Sequence, residues 1–197
     1  TCISCKLHIT LVKIKLRHNC VFSIQKLMNS KENLVFLGMM GSGKSSIGSL
    51  VSKKLNINFI DVDIEIEKKL DLKISEIFEN KGEKYFRQIE ETETLKALRN
   101  KKTAISLGGG AFLNNKIKKE VLENHISFWL NWDVKTLVNR IKDSKKRPIA
   151  HKSSKKEIEE LIEKRSIIYS KAMYKINCEN LTKNEIVKKI IKIYETY

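Results

Sequence analysis

A glycine-rich stretch has the residue types and spacing of a phosphate-binding loop. It reads GMMGSGKSS over residues 38–46, follows the apolar run LVFL, and opens a helical pattern. Its glycines let successive backbone N–H groups converge on one anion, and the helix N-terminus adds a positive dipole end. A plain strand-to-helix turn would need neither Lys44, which can reach outer phosphates, nor Ser45, whose hydroxyl can bind Mg²⁺. The loop predicts a nucleoside triphosphate site contacted by Gly41, Ser42, Gly43, Lys44, Ser45 and Ser46.

Two acidic residues, Asp61 and Asp63, end the second predicted strand, in FIDVD. Two residues apart in an extended chain, their side chains leave the same face, at the strand end where open α/β sheets bind ligands. The third predicted strand ends in ISLGGG and lacks the acid usual there, so Asp61 is the candidate for Mg²⁺ and Asp63 for an acceptor hydroxyl. The alternative is that these acids simply face solvent. This interpretation suits Glu65 and Glu67, but a central parallel strand has no solvent-facing side for Asp61 and Asp63.

Two further features carry possible binding chemistry. The glycines at 108, 109 and 110 follow the third predicted strand and let a ligand approach bare backbone. Arg87 and Glu90 are three residues apart, on one face of a predicted helix. Taken alone, Arg87 and Glu90 are explained by an ordinary surface ion pair. Arginine is, however, also the side chain that binds a carboxylate ligand in bidentate fashion.

Strands and helices alternate along the part of the chain that must position these residues. Strands are predicted at 34–37, 57–61, 103–107, 126–131 and 174–178. Helices are predicted at 44–55, 64–70, 74–80, 83–100, 114–123, 133–142, 157–171 and 183–195, the last two opened by capping boxes. Mostly apolar strands alternating with helices predict a parallel sheet covered on both faces, in one domain.

Composition narrows the classes of partner and compartment. The net charge is +16, but the lysines are spread among Ile, Asn and Glu without a basic recognition helix, so we expect no nucleic-acid partner. No apolar stretch approaches the ~20 residues that cross a bilayer, so we expect no membrane span. Cys178 is the only cysteine after residue 27, which excludes a disulfide within that part and fits a reducing cytoplasm. We also expect a monomer.

The first 27 residues differ from the rest, with five basic residues, no acidic residue and three of the four cysteines. Zinc binding by Cys2 and Cys5 with nearby histidines is one interpretation, but the spacing fits no standard finger. A transit peptide is another, although the segment holds one Arg and two Ser. A third is an over-extended start before Met28, which we favour. Residues 1–27 are thus expected to be an extension outside the fold, and 28–197 the domain.

A basic segment at about residues 142–157 contains the only proline of the chain and little apolar periodicity. A solvated loop is the simple interpretation. In a protein that binds a nucleoside triphosphate, we favour a mobile lid that brings cations onto the transferred phosphoryl group.

Taken in order, GMMGSGKS, FIDVD, GEKYFRQIE, LGGGA, RPI and KRSIIY resemble the shikimate kinase family from about Leu34 to the C-terminus. The resemblance implies a P-loop kinase of the nucleoside-monophosphate-kinase-like type, with a five-stranded parallel sheet flanked by helices. It also implies transfer of the ATP γ-phosphoryl group to the 3-hydroxyl of shikimate, with Mg²⁺, in aromatic amino-acid biosynthesis.

The resemblance also implies residue roles. Lys44 would contact the phosphates, Ser45 and Asp61 would serve Mg²⁺, and Asp63 would bind the acceptor hydroxyls and accept the proton. The remaining implied shikimate contacts are Arg87, Glu90, Gly108, Gly109, Gly110 and Arg165, with Phe78 and Phe86 as an apolar wall. Arg140 would pack on adenine and Arg147 would be the lid arginine. Two departures are RPIA in the lid and NCE at 177–179, which leaves the adenine contact there undefined.

Two other functions compete with this one. A gluconate or small-sugar kinase on the same fold would also bind a hydroxylated carboxylate, but it would not need this series of motifs. An inactive kinase fold serving as a nucleotide-gated binding module would be expected to lack catalytic positions, which this sequence retains.

Overall fold

The core of the fold is a five-stranded, fully parallel sheet. The computed structural model describes residues 33–142 and 153–197. The strands run in the order β2-β3-β1-β4-β5, which confirms the predicted fold class. Their bounds are β1 Leu34–Leu37, β2 Asn58–Asp61, β3 Thr103–Ser106, β4 Ile126–Asn131 and β5 Tyr174–Asn177.

Helices connect the strands and cover both faces of the sheet. They are α1 Lys44–Leu55, α2 Val62–Leu70, α3 Ile74–Leu98, α4 Asn115–Asn124, α5 Val134–Lys142, α6 Lys155–Tyr169 and α7 Lys183–Thr196, with a 3₁₀ turn at Ala111–Leu113. In the described part of the chain, no helix is long and apolar enough to cross a bilayer. The predicted extension and most of the predicted lid, residues 143–152, lie outside the described residues.

The side chains of β1 divide between two apolar cores, one on each face of the sheet. Val35 and Leu37 belong to one core, whereas Leu34 and Phe36 belong to the other. All four side chains are buried. This explains why the central strand is apolar at every position, since a parallel strand covered on both faces has no wet side.

Helix boundaries follow the side chains that satisfy the terminal N–H groups. The Asp61 carboxylate accepts hydrogen bonds from the N–H groups of Asp63 and Ile64, so α2 begins at Val62 and not at residue 64 as predicted. The capping boxes predicted at Ser154 and Thr182 are confirmed. The two helices predicted at 74–80 and 83–100 form α3, interrupted at Gly82, which has φ 79°.

The parallel topology collects five loops at the carboxyl edge of the sheet. The phosphate-binding loop follows β1, Asp61 ends β2, the glycine triplet follows β3, Trp132 follows β4 and Cys178 follows β5. Since all five strands point the same way, residues that are far apart in sequence meet at this edge.

Candidate active site

The loop after β1 has the backbone conformation of an anion-binding turn. Gly38, Gly41 and Gly43 have φ values of 142°, 79° and 87°, a range that side chains with a Cβ rarely adopt. Gly43 precedes the first turn of α1, where Ser45 is exposed and Ser46 is half-buried. The loop and the N-terminus of α1 therefore lie together at the carboxyl end of β1, the position typical of a phosphate site.

Lys44 is buried and its ammonium group lies within the loop. Its Nζ donates to the carbonyls of Gly38 and Met39, both at 3.0 Å. These bonds hold a positive charge inside the turn. Ser42 is also buried, and its N–H donates to the Met39 carbonyl at 3.1 Å.

Asp61 and Asp63 do not share a strand face, because the helix begins between them. Asp61 is 7% exposed and its Oδ1 caps α2, at 3.1 Å from the Asp63 N–H. Asp63 is half-buried in the first turn of α2. The expectation of side chains leaving one face of an extended chain is therefore wrong, although both residues remain at the predicted edge.

The backbone of Gly108 lies against two carboxylates. A Cβ built on Gly108 would touch Glu90 Oε1 and lie 2.9 Å from Asp63 Oδ1. Only a glycine leaves room for this approach. The contact brings α2, α3 and the loop after β3 together around one pair of acids.

Arg87 is held by two carboxylates on its own helix. Its Nη1 donates to Glu90 at 2.6 Å, and its Nη2 donates to Glu83 at 2.9 Å. Burial opposes the positive charge, but the carboxylates of Glu90 and Glu83 outweigh it and raise the pKa of Arg87. A Cβ on Gly110 would clash with this guanidinium, so a side chain at position 110 would displace Arg87.

Arg165 reaches the same region from α6. It is 6% exposed, and its Nη1 donates to the Gly109 carbonyl at 3.3 Å and lies 3.8 Å from Met39 Sδ. Its buried Nε has no hydrogen-bond partner among the described residues. A buried guanidinium with donor capacity left over is suited to a carboxylate ligand.

A cavity of about 320 Å³ is lined by residues that include both arginines. Its lining includes both guanidinium-bearing residues, Glu90, Gly110 and apolar residues of the 3₁₀ turn and α4. Phe78 and Phe86 do not line it. Their rings pack together at 4.6 Å, and Phe86 is fully buried in the core beneath Arg87.

Tyr169 is a site residue to which the sequence interpretation assigned no role. Its hydroxyl donates to the Gly109 carbonyl, which also accepts from Arg165. The only sequence signal for it was its place at the end of KRSIIY, four residues after Arg165. The buried Tyr169 side chain thus holds the Gly109 backbone in place.

Arg140 lies on the ring of Trp132, with its Cζ 3.7 Å from the ring centroid. The predicted lid arginine, Arg147, lies outside the described residues. In the segment that departs from the family, Asn177 accepts from the Asn131 amide and Glu179 accepts from the Thr136 hydroxyl. These residues therefore pair with the end of β4 and the start of α5.

Comparison with known proteins identifies the family. A sequence profile described as shikimate kinase matches residues 40–195. Shikimate kinase of Thermodesulfovibrio yellowstonii is 42% identical over 83% of this chain and 95% of its own length. That of Bacillus subtilis is 40% identical over 82% of this chain and 88% of its own length.

Solved structures agree with the sequence comparisons. Shikimate kinase from Aquifex aeolicus has a TM-score of 0.75 and 37% identity, covering 83% of this chain and 96% of that one. The Acinetobacter baumannii enzyme, solved in complex with shikimate, has a TM-score of 0.79 and 26% identity. The match covers 87% of this chain and 97% of that one. A phosphate-binding loop beside a cavity lined by two arginines, on this sheet and with these relatives, places the chain in the shikimate kinase family.

Proposed function

We infer that this chain transfers the γ-phosphoryl group of ATP to the 3-hydroxyl of shikimate, giving shikimate 3-phosphate and ADP. The observation that carries this function is a cavity lined by both Arg87 and Arg165. Arg165 contacts both Met39 of that loop and Gly109 of the glycine triplet. The acceptor and the donor sites therefore share a wall.

Arg87 and Arg165 would bind the shikimate carboxylate. Arg165 is buried and Arg87 is already oriented by Glu90 and Glu83, so neither side chain needs to search for its conformation when the substrate enters. Preordered donors reduce the entropy lost on binding. Gly108, Gly109 and Gly110 would bring their backbone to the substrate, with Phe78 and Phe86 supporting the apolar side of the site.

Asp63 would bind the shikimate hydroxyl groups and accept the proton of the attacking one. Its carboxylate lies close to Glu90 at the backbone of Gly108, in the glycine triplet proposed to meet the substrate, and this supports the assignment. Glu90 would orient Arg87. The proton moves to the Asp63 carboxylate as the oxygen attacks phosphorus.

ATP would be bound by the phosphate-binding loop, from Gly41 to Ser46, with adenine on Arg140 and the lid arginine, Arg147, over the phosphates. Lys44 would exchange its carbonyl partners for phosphate oxygens, since its ammonium group is already in the turn. These contacts align the γ-phosphoryl group with the acceptor and stabilise its charge.

The residues present fit a magnesium ion. The exposed hydroxyl of Ser45 and the carboxylate of Asp61 are hard oxygen donors at the same edge of the sheet. Among the described residues, no group of three or more His, Cys, Asp and Glu is placed to hold a metal. Mg²⁺ commonly uses one or two protein groups and completes its shell with phosphates and water. When bound, it supplies charge neutralisation at the phosphates.

We further propose a monomeric cytoplasmic enzyme whose partners are ATP and shikimate, without nucleic acid or membrane. The dispersed lysines and the single cysteine after residue 27 support this part. Residues 28–197 would form the domain, and about 142–157 its lid.

A coupled ADP-release assay tests the reaction. With Mg²⁺ and ATP present, we expect turnover with shikimate and only background with gluconate or no acceptor. Matching rates with gluconate would favour the small-sugar kinase, and no acceptor-dependent ADP with either would favour a binding module. Arg87→Lys, which keeps the charge but loses the bidentate fork, should raise KM for shikimate and leave KM for ATP unchanged.

A further inference from the structure

We propose that Trp132 is a positioning residue for ATP. Its indole ring holds the Arg140 guanidinium in one plane, so that the opposite face of that guanidinium is presented to the adenine base. This inference rests on the proposed adenine contact of Arg140 and adds a residue to which neither the motifs nor the resemblance assigned a role.

Trp132 is tied to the phosphate-binding loop. It is the first residue after β4, and its indole Nε1 donates to the Ser42 carbonyl at 3.0 Å. The ring is half-buried and packs against the apolar cores on both faces of the sheet. Its position is therefore set relative to the loop that would hold the phosphates of the same nucleotide.

The Arg140 guanidinium lies over this ring. The distance from its Cζ to the ring centroid is 3.7 Å, well inside the ~6 Å range of cation–π attraction. Its Cβ lies 3.4 Å from a Cβ built on Gly41, so the side chain starts beside the phosphate-binding loop.

A planar guanidinium has two faces that can stack on π systems. With its Cζ only 3.7 Å from the ring centroid, the guanidinium has little room to stand upright on the indole, so we infer that one of its faces lies against Trp132. Arg140 as a whole is exposed. A purine can therefore stack on the second face without displacing the indole. Holding the plane in advance reduces the conformational freedom that the arginine would lose when ATP binds.

Trp132 has two separable features, its ring and its N–H group, and either could matter for ATP. If the ring acts through Arg140, its removal should weaken binding only of ligands that carry a base. If the hydrogen bond to Ser42 shapes the loop, its removal should weaken binding of any ligand with the same phosphates. Inorganic tripolyphosphate has the phosphates without the base and separates these cases.

The test uses two substitutions in the full chain. Trp132→Phe keeps an aromatic face without an N–H donor, and Trp132→Gln keeps a donor without the face. Calorimetry measures Kd for ATP and for tripolyphosphate, each with Mg²⁺ and without acceptor. We expect Trp132→Gln to raise the Kd for ATP by about 3- to 10-fold and to leave the Kd for tripolyphosphate unchanged. Trp132→Phe should keep both Kd values close to those of the parent.

A control and a second background complete the test. Tyr174→Leu removes an aromatic ring stacked on Phe128 at the edge strand, and it should leave both Kd values unchanged. In an Arg140→Ala background, Trp132→Gln should add no further loss for ATP. Thermal unfolding of every variant checks that it is folded.

Several results would overturn the proposal. Equal weakening of ATP and tripolyphosphate by Trp132→Gln, or a loss for Trp132→Phe but not for Trp132→Gln, would assign the effect to the loop. Tighter ATP binding by Trp132→Gln would mean that the indole competes with the base. If Arg140→Ala leaves the ratio of the two Kd values unchanged, the adenine contact itself fails. Absence of shikimate-dependent turnover would instead refute the reaction, which this binding test does not use.

Discussion

Asp63 and Asp61 are two residues apart, but the fold gives their carboxylates different neighbours. Asp63 lies beside Glu90 at Gly108, whereas Asp61 caps α2 through the N–H groups of Asp63 and Ile64. Substitutions can therefore separate the role proposed for Asp63 on the acceptor from the metal role proposed for Asp61 and from its observed capping of α2.

Asp63→Asn removes the carboxylate proposed to accept the proton. It leaves unchanged the residues proposed to bind the nucleotide. We expect kcat to fall by about 10²–10⁴ if general-base assistance is lost. The Kd for Mg²⁺-ATP should remain within about twofold of the parent, since Lys44 and Ser45 are unchanged. The measurements are steady-state turnover at saturating shikimate and ATP, and calorimetry for the nucleotide.

Glu65→Gln is a matched control for Asp63→Asn, because Glu65 is an exposed acid in the same helix turn, paired with Lys68. It should keep normal turnover. Near-normal kcat for Asp63→Asn would remove this residue from the chemistry.

Asp61 can be examined with two substitutions that differ in capping ability. Asparagine is as good an N-cap as aspartate, whereas alanine costs about 1 kcal/mol. Both Asp61→Asn and Asp61→Ala should raise the Mg²⁺ concentration needed for half-maximal activity, because both remove the carboxylate. Only Asp61→Ala should lower the free energy of unfolding, measured in urea. An unchanged Mg²⁺ requirement in Asp61→Asn would leave Asp61 with the capping role alone.

At the scale of the elements, Asn33 joins the amino end of the sheet to the end of α3. Its amide donates to the carbonyls of Leu98 and Asn100 at 3.0 and 2.6 Å, and its Oδ1 accepts from the Thr103 N–H at 3.1 Å. The side chain is 2% exposed, so water cannot replace these bonds. One residue therefore satisfies three backbone groups of the connection into β3.

Asn33→Ala should lower the free energy of unfolding by about 2–4 kcal/mol, since the Leu98 carbonyl and the Thr103 N–H, both of buried residues, lose this partner. Chemical unfolding in urea measures the change. Asn124→Ala is the matched control, because Asn124 is exposed and its amide donates only to the Glu120 side chain. Equal effects of the two substitutions would contradict the role given to Asn33.

At the scale of the whole molecule, Tyr169 couples stability to alkaline pH. Burial disfavours the phenolate and raises the pKa of Tyr169 from 10 to about 12. In the unfolded chain the phenol loses its proton near pH 10. Between pH 10 and 12 the unfolded chain binds fewer protons, so stability falls as the pH rises. Below pH 10 this contribution is fully present.

We expect this residue to account for about 2–3 kcal/mol of the stability lost between pH 10 and 12, since one pKa unit corresponds to about 1.4 kcal/mol. Tyr169→Phe should therefore lose less stability over this interval than the parent, although it is less stable at pH 8 because it lacks the bond to Gly109. Urea unfolding at pH 8, 10 and 11.5 measures both effects. Parallel pH dependences for the two proteins would contradict the assignment.

A second prediction at this scale concerns residues 1–27. The described residues, which begin at Asn33, supply two apolar cores and the site contacts given above. A chain of residues 28–197 should therefore keep the unfolding midpoint and kcat of the full chain within error. Thermal unfolding and the ADP-release assay measure this, and loss of either property would show that the first 27 residues contribute.

The sequence by itself determined the elements, the phosphate-binding loop and the family. Apolar runs such as LVFL predict buried strands because a covered parallel strand is apolar at every position, and capping boxes place α6 and α7 because their signals are local. The start of α2 was misplaced because Asp61 can end a strand and cap a helix at once.

Only the tertiary structure decided which distant residues share a contact. Arg165 and Gly109 are 56 residues apart, and Trp132 and Ser42 are 90 apart, yet each pair is joined by a hydrogen bond. No local pattern encodes these contacts. They exist because parallel strands with helical crossovers deliver every loop to one edge, where packing decides which side chains meet.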